Sequence, residues 1–247
     1  MQNSAPKSVD KSMIVDSGEA IVVLTGAGVS AESGLRTFRD NDGLWEDHRI
    51  EDVATPEAFR RDAKLVHRFY NMRRAQLMDP ELQPNKAHLA LAEFSKRWNG
   101  TFNIVTQNVD NLHERADSKN VIHMHGELLQ KRCKDSGNVS LCESVIEPND
   151  LCECCGVPGN LRPNIVWFGE MPLHMELIET LLAQCSLFVS IGTSGTVYPA
   201  AGFKETAKMY GAKTVELNLE PSATASGFDE THYGAASEIV PAFFDSL

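Results

Sequence analysis

Several features are missing from this chain of 247 residues, and each absence removes a class of function. No apolar run approaches the ~20 residues needed to span a bilayer, so no membrane partner is expected. The opening stretch, MQNSAPKSVDKSM, lacks the apolar core of a secretory signal. It reads as a disordered tail over residues 1–17 of a cytoplasmic protein. Basic charge is in deficit: 23 Lys and Arg face 34 Asp and Glu, a formal net charge of −11. Nucleic-acid binders usually carry a basic stripe, so no nucleic-acid partner is expected either. The acidic balance is compatible with basic peptide partners, although solubility alone selects for it. Internal repeats and low-complexity tracts are absent, and nothing in the sequence sets an oligomeric state.

What is present is ordinary globular composition, 42% hydrophobic and 23% charged. The length allows one sizeable core plus a smaller module. The run AIVVLTGAGVS (20–30) reads as a buried strand entering a glycine turn. The segment TPEAFRRDAKLVHRFYNMRRAQL opens on a Thr-Pro start signal and has helical spacing at Leu65, Phe69 and Met72. A further helix is predicted over residues 87–98, and strands at 102–106, 121–123, 164–168, 187–191 and 214–219. Helical stretches separate most of these strands, as in a parallel α/β sheet, and polar motifs follow their ends, where such sheets bind ligands.

The loop Gly26-Ala27-Gly28-Val29-Ser30-Ala31 fits G-x-G-x-x-G/A directly after a strand. Small residues there let the backbone approach a pyrophosphate at a helix N-terminus, although the same pattern also serves as a tight turn. A conventional dehydrogenase needs a second strand ending in an acid within about 20 residues of that loop. Here the stretch is TFRDNDGLWEDHRIED, with no convincing strand. A dinucleotide is expected, but not in dehydrogenase wiring.

The cysteines are Cys133, Cys142, Cys152, Cys154, Cys155 and Cys185. Five of them crowd the Cys-, Pro-, Gly- and Asn-rich segment 130–161, which reads as an inserted module holding a metal rather than a disulfide framework. Cys133, Cys152 and Cys155 are the expected zinc ligands, with Cys142 or Cys154 open as the fourth. The usual C-x₂-C partner of Cys133 is replaced by Ser136, and a metal-free loop is the alternative. Cys185 reads as core.

Six blocks then coincide in order: GAGVSAESGLRTFR (26–39), TQNVDNLHERA (106–116), HMHGEL (123–128), RPNIVWFGEMP (162–172), IGTSGTVYPA (191–200) and LNLEPS (217–222). Together they resemble the sirtuin family, most closely the bacterial class III type. The resemblance implies a Rossmann-like core (18–40, 88–129, 162–247) with helices on both faces, a helical insert (41–87) and a small zinc module (130–161). It implies a reaction in which acyl-lysine and NAD⁺ give lysine, nicotinamide and O-acyl-ADP-ribose, with NAD consumed and zinc purely structural. By the same resemblance, NAD contacts fall on Gly26, Ala27, Gly28, Ala31, Phe38, Arg39, Trp45, Gln107, Asn108, Val109, Asp110, Gly192, Thr193, Ser194, Asn218, Leu219, Glu220 and Ala236. Many of these residue types also suit caps and turns.

His125 aligns with the family's general base, and an unperturbed imidazole titrates near working pH. His123, two residues earlier, would share its face on a strand, so a purely structural polar pair is the alternative. The substrate peptide is expected to add as a strand beside Phe168 and Gly169, with Val166 and Phe168 lining the acyl-lysine tunnel. Tyr70 and Arg73, spaced i, i+3 on a helix, match the Tyr-x-x-Arg of class III enzymes that accept acidic acyl groups such as succinyl. Alternatives to the deacylase are a conventional dehydrogenase, a protein ADP-ribosyltransferase and a non-catalytic NAD-binding module.

Overall fold

The structure, a computed structural model, describes residues 18–35, 44–45 and 48–247. The predicted tail, Phe38 and Arg39 lie outside them, and Trp45 is described in its backbone alone. From the first described residues the chain forms β1 (Ile21–Thr25) and a single helical turn, α1 (Gly28–Ala31). A short antiparallel pair, β2 (Leu44–Trp45) and β3 (His48–Arg49), precedes four helices: α2 (Ile50–Val53), α3 (Pro56–Arg61), α4 (Ala63–Leu77) and α5 (Lys86–Arg97). Then come β4 (Phe102–Thr106), α6 (Leu112–Arg115), β5 (Val121–His123), β6 (Gly126–Cys133), β7 (Val139–Leu141) and β8 (Leu161–Ile165). The chain closes with α7 (Met175–Gln184), β9 (Leu187–Ile191), α8 (Phe203–Met209), β10 (Lys213–Asn218), β11 (Glu230–Tyr233) and α9 (Ala236–Asp245).

Six strands form one parallel sheet in the order β11-β10-β9-β1-β4-β5. β1 is central and buried at every position, which is why its sequence is unbroken apolar IVVLT. Strand alternation sends Ile21 and Val23 to a core shared with Leu91, Phe94, Val240 and Phe244 of α5 and α9. Val22 and Leu24 go to the opposite core, with Ile178 and Leu182 of α7 and Phe203 and Ala207 of α8. Each fully buried large side chain of this kind contributes about 1.5–3 kcal/mol. A third core, including Phe59, Tyr70, Leu112, Leu128, Ile165 and Trp167, packs the helical insert on α6, β6 and the end of β8.

Three expectations need correction. The strand expected at 164–168 is β8, which lies earlier and runs antiparallel to β6 in a separate three-stranded sheet, β7-β6-β8. Residues 166–168 leave that ladder: the Val166 amide bonds the His125 carbonyl at 2.8 Å and the Phe168 amide bonds that of Ala54 at 3.0 Å. The long helix after Thr55 is two helices. Asp62 ends α3 and its carboxylate caps α4 through the Leu65 amide at 2.9 Å, while Thr55 caps α3 as its Thr-Pro start suggests. Met72 is 53% exposed; the buried stripe of α4 is Val66, His67, Phe69, Tyr70, Arg74 and Leu77. No helix among the described residues is long and apolar enough to cross a membrane.

Candidate active site

Chain order reverses at β1, with β4 and β5 on one side and β9, β10 and β11 on the other. Ligands of open α/β sheets bind at such a switch point, outside the carboxyl ends of the strands. The loops after β1 and β9 meet there backbone to backbone. The Gly26 amide bonds the Ile191 carbonyl at 3.0 Å, and the Gly28 amide bonds that of Gly192 at 2.8 Å. A Cβ on Gly28 would lie 2.7 Å from Gly192 Cα, so these glycines are required by the neighbouring loop as well as by any phosphate. The helix that follows is one turn long, shorter than a dinucleotide fingerprint normally opens.

The loop after β4 supplies the next groups. Gln107 donates to Thr193 Oγ1 at 3.1 Å, and Asn218, at the end of β10, donates to the Thr193 carbonyl at 2.8 Å. Gln107, Thr193 and Asn218 thus form one connected floor. Leu219 and Glu220 beyond it are exposed, as is Ala31, while Ser194 and Ala236 are half-buried. Glu32, beside the glycine loop, accepts from the Ser237 amide at 2.9 Å and so ties the start of α9 to that loop.

Asn108 and Asp110 are buried and share a partner that sequence reasoning left without a role, Ser30. Ser30 Oγ donates to Asp110 Oδ2 and accepts from Asn108 Nδ2, each at 3.1 Å. The second Asp110 oxygen accepts from the Leu112 amide at 3.1 Å, so the carboxylate also caps α6. Burial raises the Asp110 carboxyl above its ordinary range, opposed by those two hydrogen bonds. Val109 packs on the third core.

The two histidines separate clearly. His123 ends β5, whereas His125 stands in the link to β6, so they do not share a strand face. Burial opposes charge on His123, but the Glu114 carboxylate at 2.8 Å from Nε2, with Glu127 and the Asn108 carbonyl, raises its pKa overall. Both ring nitrogens are committed. His125 bonds the Gln107 carbonyl through Nδ1 at 3.0 Å, which makes Nδ1 the proton-bearing nitrogen and Nε2 the basic one. Burial holds its pKa below the ordinary 6.5, partly offset by that hydrogen bond.

Beside His125 runs the segment 166–170. Phe168 is 46% exposed and Gly169 has a positive φ of 88°. Trp167, by contrast, is buried and donates from Nε1 to Tyr70 Oη at 2.9 Å, while the Arg162 guanidinium stacks 3.3 Å from its ring centroid. Arg162 also pairs with both Glu170 oxygens, at 2.6 and 2.9 Å. Tyr70 is fully buried, burial pushing its phenol pKa up, and Arg73 is half-buried with its guanidinium 5.9 Å from the Phe69 ring centroid. Neither sits on a solvated helix face.

The cysteine module resolves the open fourth ligand. Cys133, Cys152, Cys154 and Cys155 hold their sulfurs within 4.8 Å of one another, with Cys133–Cys155 at 3.8 Å and Cys152–Cys154 at 3.3 Å. Tetrahedral zinc with ~2.3 Å bonds to sulfur requires sulfurs about 3.8 Å apart, so the four fit a structural Cys₄ site. Cys142 is directed instead at the Ser144 carbonyl, and Ser136 contacts Cys154 Sγ at 3.3 Å. Asn160 donates to Cys133 and Cys155, an outer partner of the cluster. Cys185 is buried in the main fold.

Comparison with known proteins agrees with this architecture. The family model described as Sir2 family matches residues 26–199. An NAD-dependent protein deacylase of Pasteurella multocida (strain Pm70) is 63% identical over 221 residues, 90% of this chain and 94% of that protein. One of Escherichia coli (strain K12) is 60% identical over 227 residues, 92% of this chain and 81% of that protein. A solved Sir2 homologue complexed with NAD superposes with TM-score 0.83 at 38% identity, covering 92% of this chain and 88% of that one. With a family match over more than half its length and relatives at 60% and 63% identity, this chain belongs to the Sir2 family.

Proposed function

We infer that the protein is an NAD-dependent protein-lysine deacylase of the cytoplasm that removes acetyl and succinyl groups. The observation that carries the assignment is His125: one nitrogen fixed by the Gln107 carbonyl, the other basic, with its own carbonyl bonded by the Val166 amide. NAD⁺ is a substrate here. Loss of nicotinamide from the ribose passes through an oxocarbenium-like state, as in glycoside cleavage. Asp110, which accepts from Ser30 and from the Leu112 amide, suits the carboxamide nitrogen, and Asn108 the ribose. The acyl oxygen captures the ribose carbon, and His125 Nε2 then takes a proton from a ribose hydroxyl so that it attacks the acyl carbon. Imidazole with a depressed pKa is already unprotonated at neutral pH, as this step needs.

The acylated peptide adds as a strand between Phe168-Gly169 and residues 195–198, where Val197 and Tyr198 are also exposed. Backbone pairing there tolerates many sequences, while Val166 and Phe168 line the passage for the lysine stem. Tyr70 reaches that wall through Trp167, and it and Arg73, i, i+3 on α4, are the groups proposed to recognise an acyl carboxylate. The zinc bound by the four cysteines is structural. Incubation with acetyl- and succinyl-lysine peptides, with and without NAD⁺, followed by product masses, tests the assignment: NAD-dependent loss of acyl with release of nicotinamide supports it, and ADP-ribose added to protein instead would replace it.

A further inference from the structure

Between Tyr70 and Arg73 in sequence stands Asn71, whose side chain crosses from α4 to the cysteine module. It donates from Nδ2 to the Ile146 carbonyl and accepts at Oδ1 from the Ile146 amide, both at 3.0 Å. One side-chain amide thus serves one residue's main chain in both directions, as a neighbouring strand would. Arg74 fixes which way that amide points. Its Nη1 donates to Asn71 Oδ1 at 2.7 Å, and a guanidinium has no acceptor. Ile146 lies 75 positions away, its side chain buried with Cys133, Cys142, Cys152 and Leu161 in the core of the module.

Two further bonds close a triangle. Arg74 is buried, and its Nε donates to the Leu128 carbonyl of β6 at 3.0 Å. The next carbonyl of β6, that of Leu129, accepts from the Cys142 amide at 2.8 Å, where the loop to Ile146 begins. α4, β6 and residues 142–146 are each joined to the other two, and Asn71 makes the side between helix and loop. Tyr70, one residue earlier, is held separately by Trp167. Successive residues stand about 100° apart around a helix, so the two anchors together resist rotation of α4 about its axis. We propose that Asn71 is a positioning residue for acyl selectivity, its clamp on Ile146 fixing that rotation and with it the placement of Tyr70 and Arg73. The selectivity role rests on those two residues recognising an acyl carboxylate, as proposed above. A carboxylate met by a planar donor fork requires a fixed direction, whereas an acetyl methyl requires only room. Freeing α4 therefore weakens succinyl binding and spares acetyl binding.

Two variants of the full chain isolate the clamp. Asn71→Asp keeps an acceptor for Arg74 but sets a second acceptor against the Ile146 carbonyl; Asn71→Leu removes every bond and adds no charge. In both, KM for a succinyl-lysine peptide should rise about tenfold with kcat unchanged. KM for the matched acetyl-lysine peptide and for NAD⁺ should move less than about twofold, which also reports an intact fold. A rise in Asn71→Asp alone would trace to its added charge, and one in Asn71→Leu alone to the acceptor lost by Arg74; either overturns the proposal. Equal rises for both peptides, or none, overturn it too. Arg73→Met distinguishes the two readings. If it changes the succinyl-to-acetyl ratio and the Asn71 variants do not, carboxylate recognition stands and the positioning role falls. If it leaves the ratio unmoved, recognition itself fails and the selectivity role falls with it. Hydrogen exchange reads the clamp independently of activity: amides of α4 and of Ile146 should exchange faster in both Asn71 variants, and unchanged rates in α4 would refute the clamp.

Discussion

Replacing Tyr70 by phenylalanine removes a single oxygen and separates two of its roles. The first is structural: Trp167 Nε1 donates to Tyr70 Oη at 2.9 Å, and both side chains are buried. Phenylalanine keeps the packing but leaves the indole N–H without a partner, at a cost of about 1–3 kcal/mol. For a chain of this size that corresponds to a fall in Tm on the order of 2–12 °C. The second role is selectivity. Oη accepts from Trp167, a bond that uses a lone pair and not the phenolic proton, and the pKa raised by burial keeps that proton on the oxygen. A hydrogen bond from it to a succinyl carboxylate in a partly desolvated pocket is worth about 1.5–3 kcal/mol, or roughly ten- to a hundredfold in kcat/KM. An acetyl group offers no carboxylate, so deacetylation serves as an internal control for the damage at Trp167. Steady-state kcat/KM for matched acetyl- and succinyl-lysine peptides, with Arg73→Met assayed alongside, should show desuccinylation falling at least tenfold more than deacetylation in both variants. Equal losses would refute the selectivity role and reduce Tyr70 to a partner of Trp167.

Four other expectations follow from the same geometry. Elemental analysis of protein purified without added metal should find about one zinc per chain; Cys154→Ser should lose it and Cys142→Ser should keep it. His125→Ala should lower kcat for deacylation by about 10²–10⁴ while calorimetry shows NAD⁺ affinity largely retained. In the unmodified enzyme the acid limb of the rate should fall below pH 6.5, since His125 must be neutral and burial depresses its pKa. Stability should also fall with acid. His67 and His88 are buried, with pKa values lowered to about 4, so between pH 6.5 and 4 the unfolded chain binds protons that the folded chain refuses. Each such histidine removes up to about 1.4 kcal/mol per pH unit in that window, opposed in part by Asp110 and His123, whose pKa values are raised. Urea denaturation at pH 7 and pH 5 would show it; equal stabilities would contradict the assignment of these histidines as buried and neutral.

The strands around the site were legible because their chemistry is local. IVVLT, FNIVT and LFVSI are apolar runs ending in glycine, amide or hydroxyl residues, and a parallel sheet gives such runs few other places to go. What escaped sequence reasoning depends on pairing in space. LRPNI has no period to distinguish a strand of the large sheet from one returning along β6, and Asp62 breaks a helix by capping the next one, without glycine or proline to announce it. Ser30 stood inside the glycine motif, but its link to His88 spans 58 positions and Tyr70 meets Trp167 across 97. Cys154 was preferred over Cys142 by the directions of the sulfurs and not by spacing.

The central claim is that NAD⁺ is consumed at the meeting of the glycine loop and His125 in order to strip acyl groups from lysine. Mass analysis of a single incubation with succinyl-lysine peptide and NAD⁺ tests it most directly. The account predicts free lysine peptide, nicotinamide and O-succinyl-ADP-ribose in equal amounts, none of them formed without NAD⁺. Intact acyl-peptide beside hydrolysed or protein-linked ADP-ribose would contradict it.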